Sequence, residues 1–399
     1  MPGIVIKEID RTEAESFQEN DNYVLIPGPA AADSGIVQGE AYELRTYAQL
    51  KAFIGGGSDQ PATNVSYHMA KQLLNLGMRV WYVVTDSLSA RASSDAVSFF
   101  EPFKDRARFN LRFITAGGFA VDADLANEMI ECASRRGDAT ALINVPKANS
   151  DTAEHIIAWL DTLDNKPFSV GEIEETPLKY ASAWAGTFTF DDDKKLQVEY
   201  PAYFYYLGCF AYYTRNYADW YAMAGAVRGK WPYGKVTTST SFGDADIAIL
   251  QTRDLDTNDK GHCSCNVIAN IRPYGNIVWG NRTLHPIVKD EETQTAGLRA
   301  SNFLNIRNLC SDIKKVVYRA CRRFTFEPNT DTLWVRFCNE ITPLLDRMKA
   351  DQGIRGYRLI QQSTPKKAVL KAIIRIIPVE AIEDFDITVE LADSIEIGE

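Results

Sequence analysis

The stretch that decides the fold is RPYGNIVWGNRTL, residues 272–284. Pro273 and the Gly-Asn pair that follows Tyr274 are turn residues, so they predict a tight connection between two extended segments. The apolar runs Val267–Ile271 and Ile277–Trp279 are therefore predicted to be partner strands. The chain beyond this hairpin is organised as two helices and a series of strands, and it makes up the last third of the sequence.

The first of these helices is predicted over Phe303–Phe324, because apolar side chains recur on one face at about 100° per residue. The apolar face carries Leu309, Ile313, Val316, Val317, Ala320 and Phe324. The opposite face is basic and carries Arg307, Lys314, Lys315, Arg319, Arg322 and Arg323. Such a face is either solvated or a docking surface for an acidic partner, and both interpretations stay open.

The last part of the chain is predicted to contain one more helix, followed by apolar strands. A second helix is predicted between Asp331 and Gly353, with Pro343 as a kink. Strands are then predicted at Gly356–Ile360, Val369–Ile377 and Phe385–Leu391. The last strand alternates polar residues with the apolar residues Phe385, Ile387, Val389 and Leu391. This alternation is typical of a half-buried edge strand, which needs a sheet to join in its own subunit or in another.

The N-terminus is also predicted to contain an apolar β-strand. Residues 3–9 are β-prone and carry the apolar side chains Ile4, Val5, Ile6 and Ile9, whereas residues 10–22 are polar and acidic. A strand separated from its domain by a polar linker is an arm. It either pairs within its own domain or is lent to a neighbouring subunit as an added strand, and both alternatives stay open here.

Composition excludes several classes of protein. The chain has 399 residues, with 45% hydrophobic and 24% charged residues, which predicts a soluble globular protein of two or three domains. A formal net charge of −10 argues against a nucleic-acid or membrane-surface binder. We find neither an apolar run of roughly 20 residues nor the pattern of a signal peptide. The seven scattered cysteines predict reduced thiols.

The middle of the chain alternates strands and helices. Strands are predicted at Val80–Val84, Leu111–Ile114 and Ala141–Val145. Helices, each opened by a capping residue, are predicted at Ser93–Arg106, Asp122–Arg136 and Ser150–Asp164. This βαβ pattern predicts a parallel sheet. Such units often bind nucleotides, but Thr115–Gly118 is a poor substitute for the glycine-rich fingerprint, so a structural scaffold is the favoured interpretation.

No candidate catalytic site emerges from the sequence. The aromatic run Pro201–Arg215 predicts a buried helix, in a core or at a subunit interface. Cys263 and Cys265 share one face of a strand with Val267, which favours core packing over a zinc site. We find no Ser/His/Asp set and no paired carboxylates. Catalytic, cofactor-binding and metal-ligating residues are therefore all predicted to be absent.

Residues 279–284, Trp-Gly-Asn-Arg-Thr-Leu, resemble the Trp-Gly-x-Arg-Thr-Leu signature of the sheath proteins of contractile phage tails and related injection systems. The matching residues are Trp279, Gly280, Arg282, Thr283 and Leu284. Asp219–Gly225 is similar to a family segment that usually ends in Pro-Ala-Gly, although Met223 stands where proline is usual. The first ten residues resemble the family's opening segment. The resemblance is strongest over residues 200–391 and looser over the βαβ region.

The resemblance implies a mixed fold class, α/β and α+β multidomain. It implies an N-terminal arm over 1–22 and a variable α/β domain over 23–200, with its βαβ units at about 79–166. A sheath core domain with a mixed C-terminal sheet and helices would span 201–377, and a C-terminal arm 378–399. The apolar residues of the arms, Ile4, Val5, Ile6, Ile9, Phe385, Ile387, Val389 and Leu391, are expected to join sheets of neighbouring subunits.

The function implied is structural, without enzyme activity or cofactor. Sheath subunits stack as six-membered rings around an inner tail tube, and their contraction drives the tube through a cell envelope. The expected partners are further copies of the chain, the tube protein, and baseplate and terminator proteins, with no nucleic acid and no membrane insertion. The expected location is the virion tail, assembled in the host cytoplasm. The candidate tube-facing residues are Lys314, Lys315, Arg319, Arg322 and Arg323. The alternatives are a nucleotide-dependent enzyme and a static tube or baseplate protein.

Overall fold

The computed structural model describes residues 22–379, except for 33–34, 94, 171–172, 192–195, 252–262, 290–295 and 364–368. The predicted strands of both arms, at residues 3–9 and 385–391, lie outside the described residues. Eight of the strands form the central sheet, and the others form smaller sheets.

The central sheet contains β1 Tyr23–Gly28, β2 Ala41–Leu44, β3 Arg79–Val84, β4 Phe113–Ile114, β5 Thr140–Asn144, β8 Ala181–Ala185, β12 Cys265–Ile271 and β13 Gly275–Trp279. The smaller sheets contain β6 Phe168–Val170, β7 Ile173–Glu175, β9 Thr187–Phe190, β10 Tyr200–Pro201, β11 Val236–Thr238, β14 Val288–Lys289, β15 Ala296–Gly297, β16 Ile354–Gln362 and β17 Lys371–Pro378. The α-helices are α1 Tyr47–Phe53, α2 Val65–Asn75, α3 Ala123–Arg136, α4 Ala153–Leu160, α5 Ala202–Tyr213, α6 Gly225–Arg228, α7 Asp244–Gln251, α8 Leu304–Phe324 and α9 Asp331–Ala350.

The strand order of the central sheet is β13-β12-β8-β5-β4-β1-β3-β2. The six inner strands are parallel, and β13 and β2 are antiparallel edge strands. The predicted parallel sheet is therefore confirmed, as is the β12–β13 hairpin. Because strands from both sides of residue 200 pair in this sheet, it crosses the boundary expected at that residue. The wider domain layout stays a prediction.

Both faces of the central sheet are buried. In β1, Tyr23 and Leu25 pack into the core on the side of α3, α4 and α7. Val24 and Ile26 pack into the core on the opposite side, with α1, α2 and α5. This period of two, with every position apolar, explains why the inner strands have continuous hydrophobic sequences. A third, smaller core lies between α8, α9 and the hairpin of β16 and β17.

The predicted aromatic helix is confirmed as α5, and it belongs to the protein core. Trp231 lies at the centre of its aromatic cluster, with ring centroids 5.6 Å from Phe204 and 5.3 Å from Tyr205. A Cβ at Gly208 would lie 2.2 Å from the Trp231 ring, so this position requires glycine. Within the described residues, no helix combines the length and apolar character needed to span a bilayer.

Two helix predictions were wrong in part. In place of a helix over Ser93–Arg106, the structure has only a 3₁₀ turn at Glu101–Lys104. Pro102 disfavours helical backbone at the residue before it, and Ser98 bonds to Glu128 of α3. The helix predicted from Ser150 begins at Ala153 and is capped by the Thr152 hydroxyl, because the Ser150 hydroxyl donates to carbonyls of the preceding loop.

Candidate functional site: the junction between the central sheet and helix α8

The signature residues 279–284 leave the edge strand β13 and enter the protein interior. Trp279 remains 37% exposed at the end of the strand. Gly280 has φ +133°, and a Cβ there would lie 2.5 Å from the Asn266 side chain, so only glycine fits without displacement. Thr283 and Leu284 are almost fully buried. The signature therefore acts mainly within the subunit.

Arg282 is the centre of this junction and is only 2% exposed. Its amide donates to Asn266 Oδ1 at 2.8 Å, and its carbonyl accepts from Asn266 Nδ2 and from Ser182 Oγ, both at 2.9 Å. Its Nε donates to the Gln251 carbonyl at 3.2 Å, and its guanidinium lies 4.8 Å from the Phe303 ring centroid. One side chain and its peptide groups thus join β8, β12, α7 and the residue before α8.

Helix α8 receives its N-terminal cap from the signature segment. The residue before the helix, Phe303, makes no side-chain cap bond. Instead the Asn281 carbonyl accepts from the Leu304 amide at 2.8 Å, and Asn281 Oδ1 accepts from the Asn305 amide at 3.1 Å. The Asn281 Nδ2 group donates back to Asn305 Oδ1 at 2.7 Å. Two otherwise unsatisfied amides of the first turn are bonded in this way.

A buried ion cluster makes a second connection to α8. Arg112, 2% exposed and just before β4, contacts Asp219 Oδ2 at 2.9 Å and also pairs with Asp312 of α8. Burial raises the pKa of Asp312, and the Arg112 charge opposes this rise. Asp219 lies in the segment that resembles the family. Its pairing with Arg112, which is 107 positions away, was not predicted from the sequence.

The predicted basic face of α8 is not one exposed surface. Arg307 is 7% exposed with its guanidinium 4.7 Å from the Tyr180 ring centroid, and Lys314 Nζ donates to the Tyr180 hydroxyl at 3.0 Å. Burial, aided by the Arg307 charge, lowers the pKa of Lys314 to about 8. Lys315 is 4% exposed, and burial beside Arg112 lowers its pKa to about 7. Arg307 and Lys315 are therefore buried inside the subunit, and Lys314 is partly buried against Tyr180.

The far end of α8 differs from its buried half. Arg322 and Arg323 are exposed, and Arg319 is half-buried. Arg323 pairs with Glu340 of α9 at 2.7 Å, and the Arg322 guanidinium lies 5.9 Å from the Tyr318 ring centroid. The two open interpretations of the basic face therefore apply only to this end. Contact with a tube stays a prediction for all five candidate residues.

The crevice that a nucleotide would use in a sheet of this topology is filled by protein. Such ligands bind beyond the carboxyl ends of the strands where the strand order reverses, which here is between β1 and β4. A Cβ at Gly117 would lie 2.2 Å from the Pro27 carbonyl oxygen. The Gly118 amide donates to Ser66 Oγ at 2.8 Å, and the Tyr203 hydroxyl donates to the Gly117 carbonyl at 2.5 Å. The glycines serve close packing of α2 and α5 onto this edge.

The remaining features that bear on the enzyme alternative are a cavity beside α3 and the buried Cys265. A cavity of about 560 Å³ beside α3 is lined by apolar, polar and charged side chains, and several of the charged ones pair with one another, such as Arg91 with Glu131 at 3.6 Å. Cys265 is fully buried in the core, as predicted, and burial raises the pKa of its thiol. Among the described residues, no three His, Cys, Asp or Glu side chains come together as metal ligands.

Solved structures that share this fold include chains of an extracellular contractile injection system and of the anti-feeding prophage (AFP) baseplate. A chain of the PVC sheath complex, an extracellular contractile injection system in its contracted state, aligns with a TM-score of 0.66 at 14% identity, over 99% of this chain and 98% of that chain. A chain of the anti-feeding prophage (AFP) baseplate aligns with a TM-score of 0.64 at 12% identity, over 98% of this chain and 99% of that one. A chain of the AFP baseplate in the contracted state aligns with a TM-score of 0.61 at 14% identity, over 98% of both chains.

These likenesses establish a shared fold along almost the full length of the chain. The signature residues indicated a resemblance to sheath proteins, and this resemblance is confirmed at the level of the fold. No protein-family model matches the sequence, and no curated protein matches it.

Proposed function

We propose that this chain is the sheath subunit of a contractile injection system, and that it polymerises around an inner tube. The observation that carries the proposal is the full-length match to a chain of a sheath complex, together with the signature residues. Its partners would be further copies of itself in stacked six-membered rings, the tube protein, and baseplate and terminator proteins. The role is mechanical and requires no catalytic residues or cofactor.

The hairpin of β16 and β17 supports polymerisation. Its two strands pair over Ile354–Gln362 and Lys371–Pro378, and within the described residues neither strand has a further partner. A two-stranded hairpin is marginal by itself, and it exposes unpaired backbone groups along both edges. Terminal strands lent by neighbouring subunits would satisfy these groups, at a net gain of about 0.5–1.5 kcal/mol per hydrogen bond before ordering entropy.

The buried contacts at the junction support the idea that each subunit moves as a rigid unit during contraction. Buried bonds through Arg282, Asn281 and Arg112 join α8 to the central sheet, so contraction would change contacts between subunits more readily than contacts within one. Backbone pairing by lent strands tolerates a changing angle between bodies if the linkers are flexible. The candidate linkers are residues 10–22 and 378–384, of which Pro378 still pairs with Ile354 at the end of β17. We infer that the arms persist through contraction while the bodies repack.

Electron microscopy of the purified full-length protein tests the proposal directly. We expect hollow, transversely striated cylinders in negative stain, because each subunit carries both lent strands and an accepting hairpin. The second candidate, a static baseplate protein, is favoured by the two neighbours from AFP baseplate structures. Closed single rings without cylinders would favour that candidate, and a monodisperse monomer at high concentration would contradict both.

The exposed end of α8 is proposed as the tube contact. Arg322→Glu is expected to lower the fraction of cylinders that contain a tube, by about tenfold if one charge pair per subunit is lost across a repeated interface. The measurement is co-sedimentation of tube protein with sheath, and Lys349→Glu on α9 is the matched charge change. An unchanged tube content in the Arg322→Glu cylinders would contradict this assignment.

A further inference from the structure

The outer face of the β16–β17 hairpin is unusual in its charge. Paired residues of antiparallel strands point to the same side, and the pairs Tyr357–Ile376 and Leu359–Ile374 pack on α9. The alternate pairs, which face away from α9, are Arg358–Arg375 and Ile360–Ile373. The outer face thus combines the half-buried pair Ile360–Ile373 with two exposed arginines directly across from each other, and it ends in the pair Gln362–Lys371.

Two like charges in direct cross-strand register destabilise a hairpin. No ion pair joins Arg358 or Arg375 to a carboxylate within the part of the chain that the structure describes. The described residues of the hairpin, 354–363 and 369–378, contain four basic residues and no acidic residue. They are Arg355, Arg358, Lys371 and Arg375. This face therefore has the charge and the apolar area to bind an acidic, amphipathic strand.

The chain itself contains a segment of that chemistry. Residues 380–399 follow β17 directly and contain eight acidic residues and no basic residue. Between 385 and 391 the apolar residues alternate with Asp386, Thr388 and Glu390, so an extended strand there has one apolar and one acidic face. Residues 1–21 match less well, because they contain two basic residues beside six acidic ones and lack this alternation in their β-prone run.

We propose that residues 385–391 of one subunit pair with an edge of this hairpin in a neighbouring copy, with Asp386 and Glu390 on the outer face, where the long side chains of Arg358 and Arg375 can reach them. The apolar side of the strand then extends the layer formed by Leu359 and Ile374 on α9. Because the pleat assigns alternate residues to opposite faces, a slip by one residue would set the carboxylates against α9. The charges thus select the partner and exclude registers displaced by one residue. The inference rests on the proposed lent strand and adds its recognition code.

Reversing the charges of Arg358 and Arg375 tests whether these side chains recognise the acidic strand. Arg358→Glu with Arg375→Glu is expected to raise the protein concentration needed for cylinder formation by at least roughly tenfold, because two attractive contacts per subunit become repulsive. The subunit should stay folded, since both side chains are exposed. Arg336→Glu with Arg347→Glu on α9 makes the same charge change away from the hairpin and should assemble normally. Equal loss of assembly in both double variants would overturn the proposal.

The decisive test is a second charge reversal, in the C-terminal strand, that compensates for the reversal in the hairpin. Adding Asp386→Arg and Glu390→Arg to the Arg358→Glu/Arg375→Glu protein should restore assembly, whereas either pair alone should not assemble at the normal concentration. Deleting residues 381–399 separates this inference from the proposed function. If the deletion blocks cylinders but the reversals do not, the lent strand stands and the charge code is wrong. If the deletion leaves cylinders intact, the lent C-terminal strand itself is wrong.

Discussion

Removal of residues 1–10 is expected to leave a folded, soluble subunit that forms no cylinders. The three hydrophobic cores are built from residues between Tyr23 and Ile376, so folding retains its main source of stability. Polymerisation instead loses a strand that carries Ile4, Val5, Ile6 and Ile9. About five backbone hydrogen bonds per subunit, at a net ~0.5–1.5 kcal/mol each, would be lost at every contact in the helical array.

The measurement combines circular dichroism and thermal melting, for folding, with sedimentation and negative-stain microscopy, for assembly. The control is Glu13→Gln with Glu15→Gln, which alters the polar linker and keeps the apolar strand. The control should form cylinders like those of the unchanged protein. Long cylinders from the truncated protein would show that the N-terminal strand is not needed between subunits.

Replacement of Arg112 by methionine is expected to destabilise the subunit by about 2–4 kcal/mol, because two partly buried carboxylates, 25% and 16% exposed, lose the cation that they share. Arg112 is 2% exposed and pairs with Asp219 and Asp312. Arg336→Met is the matched control, since the Arg336–Glu327 pair is largely exposed and should contribute less than about 1 kcal/mol. Chemical denaturation of the monomer measures both changes.

The loss of folding stability in the Arg112→Met protein should depend on pH. The pKa of Asp312 is already raised above its usual value of 3.8, and removal of Arg112 takes away the charge that lowers it. Across the range between the usual pKa and the raised one, the folded state therefore binds more protons than the unfolded state. Stability falls as pH rises through that range, so the destabilisation should be larger at pH 8 than at pH 5. A pH-independent loss would show that Asp312 is not the group left unpaired.

The elements that local pattern controls were predictable. The period of apolar residues located α8 and α9, and turn residues located the β12–β13 hairpin between Ile271 and Gly275. Signature residues such as Arg282 indicated the fold, because these side chains serve packing that the fold requires. The buried role of Arg282 was not predictable, since its partners Asn266, Gln251 and Phe303 are brought together only by the folded sheet and helix.

The sequence by itself determined most of the described helices and strands, the resemblance to sheath proteins, and the opposite charges of the hairpin and the C-terminal segment. Only the tertiary structure decided that β12 and β13 join the sheet that begins at Tyr23, that Arg112 meets Asp312, and that Lys315 is buried. Helical and strand periods depend on neighbouring residues. Which face of an element meets another depends on contacts between residues as far as 200 positions apart, and sequence periodicity does not encode them.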